Sequence, residues 1–413
     1  MKWVTKQIKD INGWRGSMIC GVPIFVMFVV FGLLGVDFGR HWDEPKLVLA
    51  VENAFESNRF LPGWYQYPSF TFWIGLLCKY VVVGLNTLTG SELSLTMMWR
   101  SVMITITALS GLWTYLLTQR INGRHSTALI ASGMLMLSPE LLYHSRWIAP
   151  DALMMQIGIL STLLLYVSCS GSLFPRRRLL QASMLAGLAC STKYPGGLFI
   201  VPIVLTSWLI VPKHKNWSSR LISSAAPVGT FILIVLLTTP GILIETSQFI
   251  ADVESEIHHY RRGHATYGVA PGFEHFWLNI RYLLLCLSDR TWIQMVLSVS
   301  IIVGYIKVAR LGKYGVIAFL TVPSLYLIYF SGQRVMIVRN LLVLLPFISI
   351  LAALGLQSIA QRLPVSKSIW LIGGLTFALV QTQTNFVSVN SIGRTSNAPV
   401  SYTHLTLPTI YSV

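Results

Sequence analysis

The chain has 413 residues, 54% hydrophobic and 11% charged, and its apolar residues fall in repeated runs of about 17 to 25, the length that crosses a bilayer. That pattern excludes an ordinary soluble domain and predicts one all-α polytopic membrane domain. The formal net charge of +16 does not imply nucleic acid, because no basic stripe with interleaved aromatics appears and basic residues accumulate in cytoplasmic loops of membrane proteins. In chain order, the basic start Lys2, Lys6, Lys9 and Arg15 precedes an apolar run over 18–36 without a small-residue cleavage site. It reads as a retained signal anchor with a cytoplasmic N-terminus. Further spans are predicted at 98–118, 126–142, 152–170, 179–194, 197–212, 221–243, 291–306, 315–331, 340–360 and 369–384, about 11 transmembrane helices in all.

One more apolar stretch, 68–88, is long enough to cross, and the positive-inside rule arbitrates. If it does not cross, the N-terminus, Arg120 with Arg124, Arg176 to Arg178, Lys213 with Lys215 and Arg220, Lys307 with Arg310 and Lys313, and Arg362 with Lys367 share one side. If it crosses, every cluster after the first moves to the opposite side from the N-terminus. The stretch therefore lies along or dips into the membrane. With that assignment, of the fifteen acids only Asp10 is cytoplasmic. Two outer loops are long, 37–97 and 244–290, and long loops in compact membrane domains carry function. Within the first, Leu47, Val48, Val51, Ala54 and Phe55 recur at helical spacing and predict a short helix on the membrane surface.

The chemistry-bearing residues cluster in the outer loops. Asp43 and Glu44 immediately precede Pro45, so one acid belongs at a helix N-cap, as a simple cap or as a carboxylate suited to accept a proton or bind a cation. Asp151 again follows a proline, in His144-Ser-Arg-Trp-Ile-Ala-Pro-Asp151; it either caps its helix and pairs with Arg146 or joins Asp43 in a shared site. Lys193 and Tyr194 lie in Ser191-Thr-Lys-Tyr-Pro-Gly-Gly197, the break between two short spans. A cation there snorkels to lipid headgroups or binds an anion such as a phosphate. Arg334 and Arg339 stand on the acidic face against the charge trend, suited to a diphosphate or phosphodiester, or paired with Asp or Glu. His258, His259 and His264 lack the i, i+4 spacing of a helical metal pair, and no metal site is expected there. The five cysteines are scattered singly, without disulfide or metal spacing.

Trp42-Asp-Glu-Pro-Lys, then Phe60-Leu-Pro-Gly-Trp-Tyr-Gln-Tyr-Pro-Ser69, resembles the first outer loop of GT-C membrane glycosyltransferases that use polyprenyl-phosphate sugars, a superfamily that includes the protein O-mannosyltransferases and the aminoarabinose transferases of lipid A. Trp99-Arg100, His144-Ser-Arg146 with Asp151, Thr192-Lys-Tyr194, and Arg339 before Pro346 follow in the same order, over about residues 18 to 360. The resemblance implies a GT-C-like bundle with juxtamembrane helices in the first outer loop, and an inverting transfer from a polyprenyl-phosphate-linked sugar to a hydroxyl of a lipid, glycan or protein on the outer face of a bacterial or archaeal cell membrane. It implies Asp43 as catalytic base. Glu44, Tyr67, Arg146 and Asp151 would lie on the substrate or acceptor side, with Asp151 orienting the acceptor or a cation. Lys193, Tyr194, Arg334 and Arg339 would hold the lipid phosphate. No cofactor is required, and a divalent cation is compatible with the pattern.

The final run Val400-Ser-Tyr-Thr-His-Leu-Thr-Leu-Pro-Thr409 looks like a translated sequencing adapter, so residues 1–399 are expected to form the membrane domain and 400–413 to be a non-native tail. A multispan transporter or lipid flippase is the alternative, favoured by many spans and the break at Pro195-Gly196-Gly197. Internal repeats and acids within spans, which that reading expects, are not evident.

Overall fold

The computed structural model describes residues 21–39, 41, 43–170, 175–211, 216–263, 268–362, 377 and 382–384. The basic N-terminal start, Trp42, Lys213, Lys215, His264, Lys367, most of the predicted span 369–384 and the tail 400–413 lie outside them. The described chain is helical, with a single isolated bridge between Gly268 and Val335. Lipid offers backbone groups no hydrogen-bond partners, so apolar runs satisfy their own as helices. The elements are α1 (Gly21–Leu33), α2 (Glu44–Glu56), α3 (Phe70–Thr89), α4 (Leu95–Asn122), α5 (His125–Met136), α6 (Pro139–Ser145), α7 (Pro150–Cys169), α8 (Pro175–Thr192), α9 (Ile200–Ile210), α10 (Trp217–Thr238), α11 (Gly241–Ile244), α12 (Thr246–Arg262), α13 (Phe273–Leu287), α14 (Thr291–Ala309), α15 (Lys313–Ser331) and α16 (Leu345–Ala360). Tight 3-10 turns, Tyr194–Phe199 and Val338–Leu344, lead into α9 and α16.

Among the described residues, six helices are long and apolar enough to cross a membrane: α3, α4, α7, α10, α14 and the continuous stretch Val338–Ala360. The predicted span 126–142 is two helices. Its continuity fails at Pro139, which cannot donate to the preceding turn, and the Ser138 hydroxyl accepts from Leu141 N at 3.3 Å to start α6 afresh. The surface helix of the first loop is α2, which buries Leu47, Ala50, Val51 and Ala54.

α3 is long enough to span, yet both of its ends are held at one end of the bundle. At its start, Ser69 N bonds Thr239 Oγ1 at 3.4 Å and Trp73 Nε1 bonds Thr238 O at 3.0 Å, at the C-terminus of α10. Past its other end, α4 begins beside the C-terminus of α1, where Arg100 Nη1 donates to Val36 O at 2.9 Å. α1 and α4 are antiparallel, Gly32 lying against Ile104 and Gly21 against Leu112, so α4 runs away from that end. α3 therefore lies across the same end as α2, with Leu77 and Leu88 turned outward at 65% and 84% exposure. An exposed apolar stripe on such a helix belongs against acyl chains.

The described acids lie at this end of the bundle. Arg120, Arg124, Arg176 to Arg178, Arg220, Lys307, Arg310 and Arg362 lie at the other. There Lys307 Nζ joins α14 to its neighbours through Asn122 Oδ1 at 2.9 Å and Gln357 Oε1 at 2.8 Å. α14 and α16 cross in close contact, because a Cβ on Gly304 would stand 1.9 Å from Leu351 O and one on Gly355 1.7 Å from Ser300 O. Small residues let helix backbones approach where there is no hydrophobic drive between them.

Candidate active site

The acidic end holds a line of alternating charges. Asp43 stands at the N-cap position of α2, but its side chain makes no cap bond. Its Oδ2 instead accepts from Arg339 Nη1. Arg339 comes from the 3-10 turn before α16, and its Nη2 donates to Tyr67 Oη at 3.0 Å. Its Nε lies 3.5 Å from Asp151 Oδ2. Asp151 Oδ1 accepts from Lys193 Nζ at 2.7 Å, and Lys193 also donates to Asn340 Oδ1 at 2.5 Å. Asn340 Nδ2 donates to Tyr260 Oη at 3.0 Å on α12. Residues from six chain segments thus meet: Asp43, Arg339, Asp151 and Lys193 in order, with Tyr67, Asn340 and Tyr260 around them.

Local structure explains the placement. Pro150 opens α7, so Asp151 sits in the first turn, where the helix dipole favours a carboxylate. α8 ends at Thr192, and Lys193 adopts φ −154, ψ 134 ahead of the turn that Pro195 begins. That extended residue aims the ammonium across the end of α7. Lys193 is 4% exposed, Asp151 1% and Arg339 5%, whereas the Asp43 side chain keeps 19%. Buried charges are tolerable only in such pairing, and Asp43 is the member at the mouth.

Glu44 and Arg146 have other partners. Glu44 is 3% exposed and grips Arg100 with both oxygens, Arg100 Nε lying 2.8 Å from Oε1; Ile148 N adds 3.0 Å and His41 N 3.1 Å. Arg100 further donates to Phe38 O at 2.7 Å and Gly39 O at 2.9 Å, so the pair ties the ends of α1, α2 and α4 together. Arg146 does not pair with Asp151. It donates to Gly32 O at 3.2 Å, Leu34 O at 2.5 Å and Gly35 O at 2.8 Å, closing the carbonyl end of α1. Tyr194 also stands beside the charge line, its hydroxyl donating to Tyr65 O at 2.6 Å. The Arg334 side chain is exposed; its backbone N donates to Tyr260 O at 3.2 Å.

Trp147 forms the wall. Its ring lies 5.2 Å from the Arg339 guanidinium and stacks on His41 at 3.6 Å with 17° between planes. Burial, reinforced by Arg339, His144 and Arg100, pushes His41 down from 6.5 to about 2, so the imidazole stays neutral. Burial raises the Tyr67 hydroxyl against the pull of Arg339, which keeps it protonated. Among the described residues, no group of three or more His, Cys, Asp or Glu side chains is arranged to hold a metal ion. Sequence reading passed over Tyr260, Asn340, Trp147 and His41. Asn340 beside Arg339 and the aromatic Trp147 four residues before Asp151 were the available signals.

Residues 90–251 match the family model described as dolichyl-phosphate-mannose-protein mannosyltransferase. That segment contains Arg100, Arg146, Asp151 and Lys193; Asp43, Tyr67 and Arg339 lie outside it. Among solved structures, the chain resembles ArnT from Cupriavidus metallidurans bound to undecaprenyl phosphate, with TM-score 0.61 and 16% identity over 88% of this chain and 63% of that one. It also resembles the Archaeoglobus fulgidus oligosaccharyltransferase tethered with an acceptor peptide, with TM-score 0.57 and 14% identity over 94% of this chain and 57% of that one. The same archaeon's AglB in complex with an inhibitory peptide and a dolichol-phosphate gives TM-score 0.57 at 12% identity, over 95% and 58%. No curated protein matches the sequence. The chain thus shares the fold of these structures, and it spans less than two thirds of their length.

Proposed function

We propose that the chain is an inverting glycosyltransferase that moves a sugar from a polyprenyl-phosphate donor to an acceptor hydroxyl at the acidic, non-cytoplasmic face. The carrying observation is the buried line Asp43, Arg339, Asp151, Lys193, which sets two cations beside one carboxylate that reaches the surface. The undecaprenyl phosphate and dolichol-phosphate in the similar structures support a lipid-phosphate ligand. Asp43 takes the proton of the acceptor hydroxyl as that oxygen attacks the anomeric carbon. The bond from this carbon to the phosphate oxygen breaks, the electron pair leaves with the lipid phosphate, and a single displacement inverts the centre. Arg339 and Lys193 neutralise the departing phosphate.

Arg339 lies on Asp43. A phosphate draws that guanidinium away and releases the carboxylate as a base, while Asp151 keeps Lys193 in place. Tyr67 and Tyr194 shape the phosphate side, and Arg334 guides anions toward it from the surface. The scheme requires no cofactor, and a divalent cation beside Asp151 would serve only to orient the acceptor. The acceptor is a lipid, glycan or protein. Purified protein incubated with a panel of polyprenyl-phosphate sugars and candidate acceptors will release lipid phosphate in step with a covalent product. Counterflow of a donor across proteoliposomes without any covalent product contradicts the proposal in favour of a transporter.

A further inference from the structure

α12 lies over the mouth of the site on four residues at helical spacing, Phe249, Asp252, Glu256 and Tyr260, which share one face. Phe249 packs its ring 5.7 Å from Tyr65 and 6.3 Å from Tyr194. Asp252 Oδ2 accepts from Tyr65 N at 2.6 Å. Tyr260 is bonded into the charge line through Asn340. Glu256 stands one turn from Asp252 and one turn from Tyr260, so the helix carries it between the Tyr65 loop and Asn340, near Lys193 and Arg339.

Glu256 differs from every other acid at the mouth. Asp43 and Asp151 are held by Arg339 and Lys193, Asp252 by Tyr65 N, and Glu245 by the Tyr65 hydroxyl at 2.5 Å. Glu256 is partly buried and makes no hydrogen bond among the described residues. Burial raises its pKa, while Lys193, His259 and Arg339 favour its charged form. A half-buried carboxylate without a protein donor holds water that incoming hydroxyls can replace. The two cations near it suit a phosphate, which leaves Glu256 to meet the neutral, hydroxyl-bearing part of a substrate. A carboxylate has two oxygens that can accept from two neighbouring hydroxyls at once.

Resting on the glycosyl-transfer reading, we infer that Glu256 is a substrate-binding residue whose carboxylate accepts hydrogen bonds from neighbouring hydroxyls of the transferred sugar or of the acceptor. It touches no transferred proton and leaves Asp43 as the base.

The test uses full-length protein in detergent, wild type against Glu256→Gln and Glu256→Asp, with the donor panel, polyprenyl phosphate alone, and acceptor titrations. Loss of a charge-assisted hydrogen bond weakens binding by about tenfold or more. If the donor sugar is the ligand, E256Q weakens the sugar-loaded lipid by that factor, leaves polyprenyl phosphate alone unchanged, and E256D recovers part of the loss. If the acceptor is the ligand, donor binding is unchanged, acceptor KM rises by that factor, and kcat stays within about threefold. An E256Q protein that matches wild type toward all three overturns the assignment, as does a fall in kcat with every KM unchanged. Wild-type protein that binds no polyprenyl phosphate, loaded or bare, overturns the glycosyl-transfer reading itself and this assignment with it.

Discussion

Lys193 and Asp151 are buried against each other at 2.7 Å, so removing Lys193 leaves Asp151 to share Arg339, at 3.5 Å, with Asp43 in a site with little water. Lys193→Met is expected to cost about 3 to 5 kcal/mol, while Lys193→Met with Asp151→Leu recovers most of it, because an apolar pair of similar volume has no charge to desolvate. Thermal unfolding in detergent distinguishes this from a surface pair, whose loss leaves the melting temperature nearly unmoved in both variants. His41 makes a pH prediction. Its folded pKa is depressed, so the folded state stays neutral while the unfolded chain takes up a proton below 6.5. Stability therefore falls with pH on that side, by about 1.4 kcal/mol per unit from this group. Between pH 6.5 and 5 a His41→Asn variant will show a shallower loss than wild type, and equal slopes contradict the assignment. Asp43, Asp151, Lys193 and Arg339 were legible in the sequence because each marks a helix start or break beside an acidic or basic anomaly. Tyr260 and Asn340 were not, since Lys193 and Asn340 are 147 positions apart and Tyr260 and Asn340 80, and no local pattern announces such a meeting. Of the two alternatives for Asp151, the pair with Arg146 is not made, because three carbonyls at the end of α1 take the guanidinium.

Among the elements, α3 is where length misleads. A largely apolar helix of 20 residues is long enough to span, but charge parity placed the stretch along the membrane, and its end contacts keep both termini at the acidic end. In a cysteine-free background, Ser57→Cys and Ser94→Cys will react with a membrane-impermeant maleimide from one side, and Ser126→Cys from the other. Ser57 and Ser94 labelling from opposite sides contradicts the fold. The α14 and α16 crossing gives a second test. Gly355→Val forces a side chain into Ser300 O, and overpacking of this kind costs about 1 to 3 kcal/mol, read as a lower melting temperature. Helical spacing foretold α2, whereas the break after Met136 was missed because Leu141 and Leu142 resume the apolar pattern beyond the short Ser138-Pro139-Glu140 interruption that marks it.

At the scale of the whole molecule, the described acids gather at one end of the bundle among interspersed cations while the other end carries only basic charges, and the charge line Asp43, Arg339, Asp151, Lys193 sits at the acid-bearing end. That polarity was readable because charge placement follows the membrane rather than the details of packing. The groups that would choose a sugar were not readable, because Glu256, Tyr260, Tyr67 and Asn340 come from three separate segments and converge only in the folded chain. The most direct test compares wild type with Asp43→Asn in proteoliposomes supplied with a matched donor and acceptor. Removing a base lowers transfer by about 10² to 10⁴-fold. The account predicts a loss of that size in the rate of lipid-phosphate release, with polyprenyl-phosphate binding retained. Full transfer activity in the Asp43→Asn protein would contradict it.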